Sequence, residues 1–347
     1  MNQSIAKNQK IAITCAVIAV SLFAWFESML GGIARSIGVE AYITFRLVFT
    51  GGLYFLALWL FSLRKGSIRL VFSPLNIDMI LYARGFFTII YLVCLAVAFY
   101  AEKSQALTYP FFFLHPIWQI LAARMINKRW PALKKQAAPI AVILIGVLVF
   151  AASNPKNYSG TEDWWQQVLD AAPSYVPALL AGMGFAYTNE VSSQISVRCN
   201  EHPFKFVGGV RVDRIDGLRI TAYTTYASIL MLPVALPVMA VILSSFGMSS
   251  LTLSIFQSGK LISHFGILSL ACLIVALGTW SITEAFTRAK HTTQIAALDG
   301  LIVPLAATID YFHGKLPTDN PSFPFMVGAL CLIVVGTVWS AFKPGAN

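Results

Sequence analysis

The sequence predicts an all-α integral membrane protein, with ten transmembrane helices forming two inverted five-helix repeats around a central cavity. Three observations predict the membrane-spanning helices. Only 12% of the 347 residues are charged, half the roughly 25% of a soluble domain, and mean hydropathy is +0.70. Apolar runs of bilayer-crossing length, about 20 residues each, recur along the whole chain. Lys and Arg gather on alternate connections between those runs.

The ten runs lie at about 11–33, 41–62, 78–100, 106–125, 137–153, 174–196, 220–244, 265–287, 293–313 and 324–342. The first is too long for a signal-peptide core and lacks a small-residue cleavage site, so it reads as span one. With the N-terminus cytoplasmic, eighteen Lys and Arg fall on inner connections and five on outer ones. That positive-inside bias orients the chain with both termini inside the cytoplasmic membrane. The net charge of +10 is therefore topological and does not imply nucleic acid. Five cysteines without paired spacing argue against a disulfide framework and a metal site. EDWWQQVLDAAPSY (162–175) reads as a short interfacial helix on the outer side.

Fragments recur in order. FAWFE (23–27) answers FAYTNE (185–190), and AFYAEKSQ (98–105) answers AFTRAKHTTQ (285–294). SQALTYPFFFLHP ends at Pro116 and TTQIAALDGLIVP at Pro304; VILIGVLVF (142–150) and LCLIVVGTVW (330–339) follow. Two units, 1–153 and 174–347, are thus joined by an outer linker, 154–173. Five helices per unit make their orientations opposite, an architecture of secondary transporters, with the substrate site at the repeat interface near the midplane.

ARGFF (83–87), ALTYPFFFLHPIW (106–118), IAALDGLIVPLAATIDYF (295–312) and VGALCLIVVG (327–336) resemble the EamA-like members of the drug/metabolite transporter superfamily over nearly the whole chain. The resemblance implies ten helices, a central cavity, alternating access and substrates ranging over amino acids, their derivatives, nucleotide-like metabolites and drugs. The chain departs from the family where its members often end the proline helix with Gly-Glu. Here Gly314-Lys315 and Asn127-Lys128 stand instead, and the inner loop 198–219 is longer.

Charges inside spans are costly and face the bundle interior. By helix rise, Glu27 and Arg46 lie about 7 Å outward of their span midpoints, and Arg84, Glu190 and Asp299 about 6–8 Å inward. Glu27–Arg46 reads as a structural ion pair or as part of a site. The inner trio has two carboxylates for one arginine, which favours contact with substrate or a coupling proton. Thr108, His115 and Gln119 share one helical face, with His115 as a midplane titratable group. Asp310 reads as solvated near the outer end, and Glu284 as an interfacial partner of Arg288. Trp25, Tyr109, Phe112, Tyr187 and Trp280 are candidates to stack on a ligand. Pro116 and Pro304 each free a backbone carbonyl and serve as helix hinges.

No HExxH, GxSxG or P-loop is present, so the expectation is a transporter and not an enzyme, without cofactor or metal. The expected substrate is a small polar or zwitterionic metabolite of the amino acid or derivative class, and efflux is the direction the family resemblance implies. Uptake or antiport of a nucleotide-like or cationic solute is the first alternative, and a membrane-embedded enzyme or lipid-handling protein the second. Expected partners are the small-molecule substrate, membrane lipid and a coupling proton, with no nucleic acid, in a monomer or homodimer.

Overall fold

The computed structural model describes residues 2–65, 79–101, 108, 111–112, 114–127, 133–153, 164–201, 204–206, 210–212, 217–245, 260–289, 292–314, 318 and 323–342. Its helices are α1 (Asn2–Ile37), α2 (Val39–Lys65), α3 (Met79–Ala101), α4 (His115–Asn127), α5 (Leu133–Ala152), α6 (Trp164–Glu201), α7 (Gly217–Ser245), α8 (Lys260–Ser263), α9 (Phe265–Arg288), α10 (Thr292–Asp299), α11 (Ile302–Phe312) and α12 (Phe323–Phe342). A two-stranded antiparallel hairpin, β1 (Phe204–Phe206) with β2 (Val210–Val212), interrupts them in the long connection between α6 and α7. Windows in α1, α2, α3, α7 and α9 are long and apolar enough to cross a membrane. Shorter apolar stretches occupy α4, α5, α11 and α12.

The distribution of polarity is inverted relative to a soluble protein. Val17, Leu60, Leu148, Val234, Val241 and Phe325 are exposed, whereas Arg46, Arg84, Gln119, Glu190, Asp299 and Asp310 are buried. In water such an outer surface would be one large apolar patch; in lipid it is solvated, and the polar groups must find partners inside. The pattern is that of a helical membrane protein.

Local sequence sets the joints. Gly38, at φ +91°, is the only residue between α1 and α2, and that left-handed backbone favours glycine. The helix containing Pro304 is broken at Gly300–Leu301. Pro304 has no N–H for the Gly300 carbonyl, its i−4 partner; that carbonyl instead accepts from Val303 at 3.3 Å, and the Leu298 carbonyl from Leu301 at 3.0 Å. A similar tight turn precedes Pro116: Leu114 N–H donates to the Phe111 carbonyl and Ile117 N–H to that of Leu114. The break thus falls a few residues before each proline. Of EDWWQQVLDAAPSY, expected as a separate interfacial helix, residues 164–175 instead open the continuous 38-residue α6, while Glu162 and Asp163 lie outside the described residues. At 1.5 Å per residue, α6 is about 57 Å long and exceeds the bilayer core.

Packing is paired. α3 lies along α6 and α1 along α9; α5 packs on α12, and α2 on α7. α4 packs on α6, and α10 and α11 on α1. Between α5 and α12 the pairing is reciprocal at single residues. A Cβ on Gly146 would meet Ile333 Cγ1 at 2.8 Å and the Ala329 carbonyl at 3.0 Å. A Cβ on Gly336 would meet Ile143 Cγ1 at 2.7 Å and the Pro139 carbonyl at 2.9 Å. Both glycines therefore let two helix backbones approach closely. Gly146→Ala and Gly336→Ala should each destabilise the protein by about 1–3 kcal/mol, the usual cost of overpacking, and by similar amounts. Thermal unfolding of the detergent-extracted variants checks this; a silent Gly336→Ala beside a damaging Gly146→Ala would break the equivalence.

Candidate functional site

Arg84, one turn into α3, is buried where four helices meet. Its Nε–H donates to Ser192 Oγ at 2.6 Å and to the Thr188 carbonyl at 3.3 Å, both on α6. Nη1 donates to the Ile220 carbonyl at 3.5 Å and to Thr224 Oγ1 on α7, and Nη2 to Thr283 Oγ1 on α9 at 3.0 Å. These acceptors are neutral. The hydroxyls can accept because their own protons are engaged: Ser192, Thr224 and Thr283 each donate to the carbonyl four residues back. Such back-bonding lets Ser and Thr sit in a membrane helix without an orphaned proton.

The guanidinium borders a cavity of about 30 Å³, room for one or two water molecules. Its wall continues through Thr88, Asn189, Thr221, Thr225 and Thr279, with Phe23, Tyr91 and Phe185 on the apolar side. A larger cavity, about 460 Å³, lies between α11 and α12 near Phe150. It is almost wholly apolar and is bordered by exposed Tyr311 and Phe312, so it is an apolar surface groove and not a polar site.

A second polar junction forms around Glu190. Its Oε2 accepts from Gln119 Nε2 of α4 and from Thr292 Oγ1 of α10 at 3.3 Å. Glu190 is flanked along α6 by Thr188 and Ser192, but two residues correspond to about 200° of rotation. Hence α6 presents the Ser192 hydroxyl and the Thr188 carbonyl to Arg84 on one side and the Glu190 carboxylate to the two proline-broken helices on the other.

The sequence-predicted residues therefore separate into groups. Gln119 and Glu190 come together; Arg84 is held by hydroxyls and carbonyls. Asp299 is buried as the last residue of α10, just before the break at Gly300. Thr108 is buried, whereas the side chains of His115 and Pro116 lie outside the described residues, as does that of Glu27. Arg46 donates to the hydroxyls of Tyr42 at 3.1 Å and Tyr91 at 3.5 Å and lies 5.2 Å from the Phe26 ring centroid. Pro304 borders the apolar groove.

Two expectations change. Asp310 is fully buried, not solvated, because α11 packs on α1 and α12. Of the candidate aromatics, Trp25 and Trp280 face outward. Phe112 packs on Phe185 and Tyr187 stacks on Phe87, while Tyr109 lies outside the described residues. The Glu284–Arg288 pair forms as its i,i+4 spacing suggests, and Glu284 also accepts from Gly217 N–H at 2.6 Å, anchoring the start of α7. Sequence reasoning missed the hydroxyl ring. Its signal was present: Thr221, Thr224, Thr225 and Ser228 fall at i, i+3, i+4 and i+7, on one helical face.

No protein-family model and no curated protein matches the chain. It superposes on a solved crystal structure of a protein over 96% of each chain, with a TM-score of 0.54 and 15% sequence identity. At that identity the likeness is one of fold alone.

Proposed function

We propose that the chain is a secondary active transporter of the EamA-like type, moving a small polar or zwitterionic metabolite across the cytoplasmic membrane by alternating access, in the direction of efflux. The observation that carries this reading is the buried polar cavity at Arg84, bordered by helices α3, α6, α7 and α9, inside a protein whose outer surface is apolar. Ten spans in two inverted repeats, with both termini cytoplasmic, complete the proposal. Exchanging α1, α2, α3, α4 and α5 with α6, α7, α9, the α10–α11 pair and α12 turns most of the main packing pairs into one another. The α1–α9 contact becomes α6–α3, the α4–α6 contact becomes α10/α11–α1, and α5–α12 and α2–α7 map onto themselves. That exchange supports the repeat, and a pseudo-two-fold arrangement suits rocking of two halves around a central site.

The helix breaks ahead of Pro116 and Pro304 supply points of bending, and Glu190 joins the two broken helices. The buried carboxylates Glu190, Asp299 and Asp310 favour a coupling proton or cation, which keeps antiport as the second reading. Asp299→Asn should abolish transport while the protein still reaches the membrane and elutes as a folded species. Untargeted mass spectrometry of medium and cytoplasm, comparing cells that overproduce the protein with cells that lack it, tests the function. A polar metabolite enriched outside and depleted inside is the expected result. Enrichment inside would reverse the direction, and unchanged soluble pools with altered lipids would replace the reading with a lipid-handling one.

A further inference from the structure

We infer that the cavity at Arg84 binds a carboxylate of the transported solute. The inference rests on reading this cavity as the substrate site, and it adds the chemical class that the site selects. Arg84 carries a full positive charge in a buried position, and every acceptor it reaches is a neutral oxygen. One of the two N–H groups on Nη2 has no protein acceptor among the described residues. A buried cation solvated only by dipoles gains strongly from an anion that adds a charge-assisted hydrogen bond.

Two neighbours on the cavity wall supply further donors. The Thr188 hydroxyl and the Asn189 Nδ2 are buried and have no protein partner among the described residues. Other wall hydroxyls differ, since Thr88, Thr221, Thr224, Thr225 and Thr283 each donate back into their own helix. Thr188, Asn189 and Arg84 thus each have a donor to spare, and all three border the same space. Three donors and one positive charge suit a carboxylate, which is a monoanion. A phosphate monoester carries about −1.5 to −2 at neutral pH and would leave charge uncompensated at a single guanidinium. The adjacent faces of Phe23, Tyr91 and Phe185 suit the apolar remainder of a small acid. With about 30 Å³ of space, the site is contracted around the dimensions of one small polar group.

The test is thermal unfolding of the purified full chain in detergent, at fixed ionic strength. The probes are matched pairs: propionate with propionamide, alanine with alaninamide, and N-acetylalanine with its amide. An acid should raise the unfolding temperature where its amide does not, and Arg84→Lys should erase that difference, because a lysine cannot reproduce the forked geometry. As Arg84 also ties four helices, Thr188→Val provides the second variant. Removing a buried hydroxyl that lacks a protein partner should keep or raise the ligand-free unfolding temperature. It should also weaken acid binding about 2- to 10-fold, the worth of one hydrogen bond. The inference is overturned if no acid outperforms its amide, or if Thr188→Val binds the acid with unchanged affinity. Acid binding without any solute flux would retain this site and remove the transporter reading. Flux of a solute that lacks an acid group would do the reverse.

Discussion

Gly182→Val should leave little folded protein in the membrane. A Cβ at Gly182 on α6 would run into the carbonyl oxygen of Phe112, which is the i−4 carbonyl relative to Pro116. Pro116 offers that carbonyl no N–H, and the chain before α4 lies so close to α6 that only a glycine fits between them. The obstructing atom is backbone, so no side-chain rotation relieves the contact. Alanine alone should cost about 1–3 kcal/mol, and valine more, because its two methyl groups extend into the same gap. The comparison is Gly184→Ala, where the nearest atoms, including the Phe87 carbonyl and Tyr91 Cβ, stand at 3.1 Å, so that a shift of a few tenths of an ångström would be enough and a smaller loss is expected. Fluorescence-detected size exclusion of the extracted proteins checks both. A normal elution profile for Gly182→Val would mean that the segment before α4 does not pack as described.

Glu190→Gln should preserve the fold and reduce transport at least about tenfold. Glutamine keeps the length and one acceptor oxygen, so the contacts to Gln119 and Thr292 can re-form as neutral hydrogen bonds. What disappears is the charge. Hydrogen bonds to charged groups contribute about 1.5–3 kcal/mol against 0.5–1.5 for neutral ones, and a difference of 1.4 kcal/mol is tenfold in an equilibrium. Because Glu190 joins α4 to α10 through α6, the weakened contact falls on the two helices that adjoin the breaks before Pro116 and Pro304. Glu190→Ala is the contrasting variant, as it leaves Gln119 without this acceptor in a buried position and should also lower the unfolding temperature. Equal transport by Glu190→Gln and the parent protein would confine Glu190 to a structural role.

What was legible in the sequence was what the chain encodes locally. Hydropathy runs mark the long apolar helices, the prolines mark the breaks at Leu114 and Gly300–Leu301, and the i,i+4 spacing marks Glu284–Arg288. The helix rise sets only an expected depth along each span. Rotation about the helix axis was not legible. Arg84 and Glu190 lie at similar expected depths, yet α6 turns Thr188 and Ser192 to the arginine and Glu190 away from it. The burial of Asp310 likewise depends on α1 and α12, which are distant in sequence. Threonines give a weak signal for a further reason: a hydroxyl that bonds back to its own helix is tolerated anywhere in a span. Only the convergence of α6, α7 and α9 on one guanidinium makes these hydroxyls a site.

The most direct measurement is flux through the purified protein in sealed lipid vesicles, using the solute that metabolite profiling identifies. The account predicts saturable uptake that accelerates when unlabelled solute is preloaded on the far side, since alternating access returns faster with cargo, and its loss in Glu190→Gln. Flux that rises linearly with concentration and ignores preloading would indicate a channel, and chemical conversion of the solute would indicate an enzyme; either result contradicts the account.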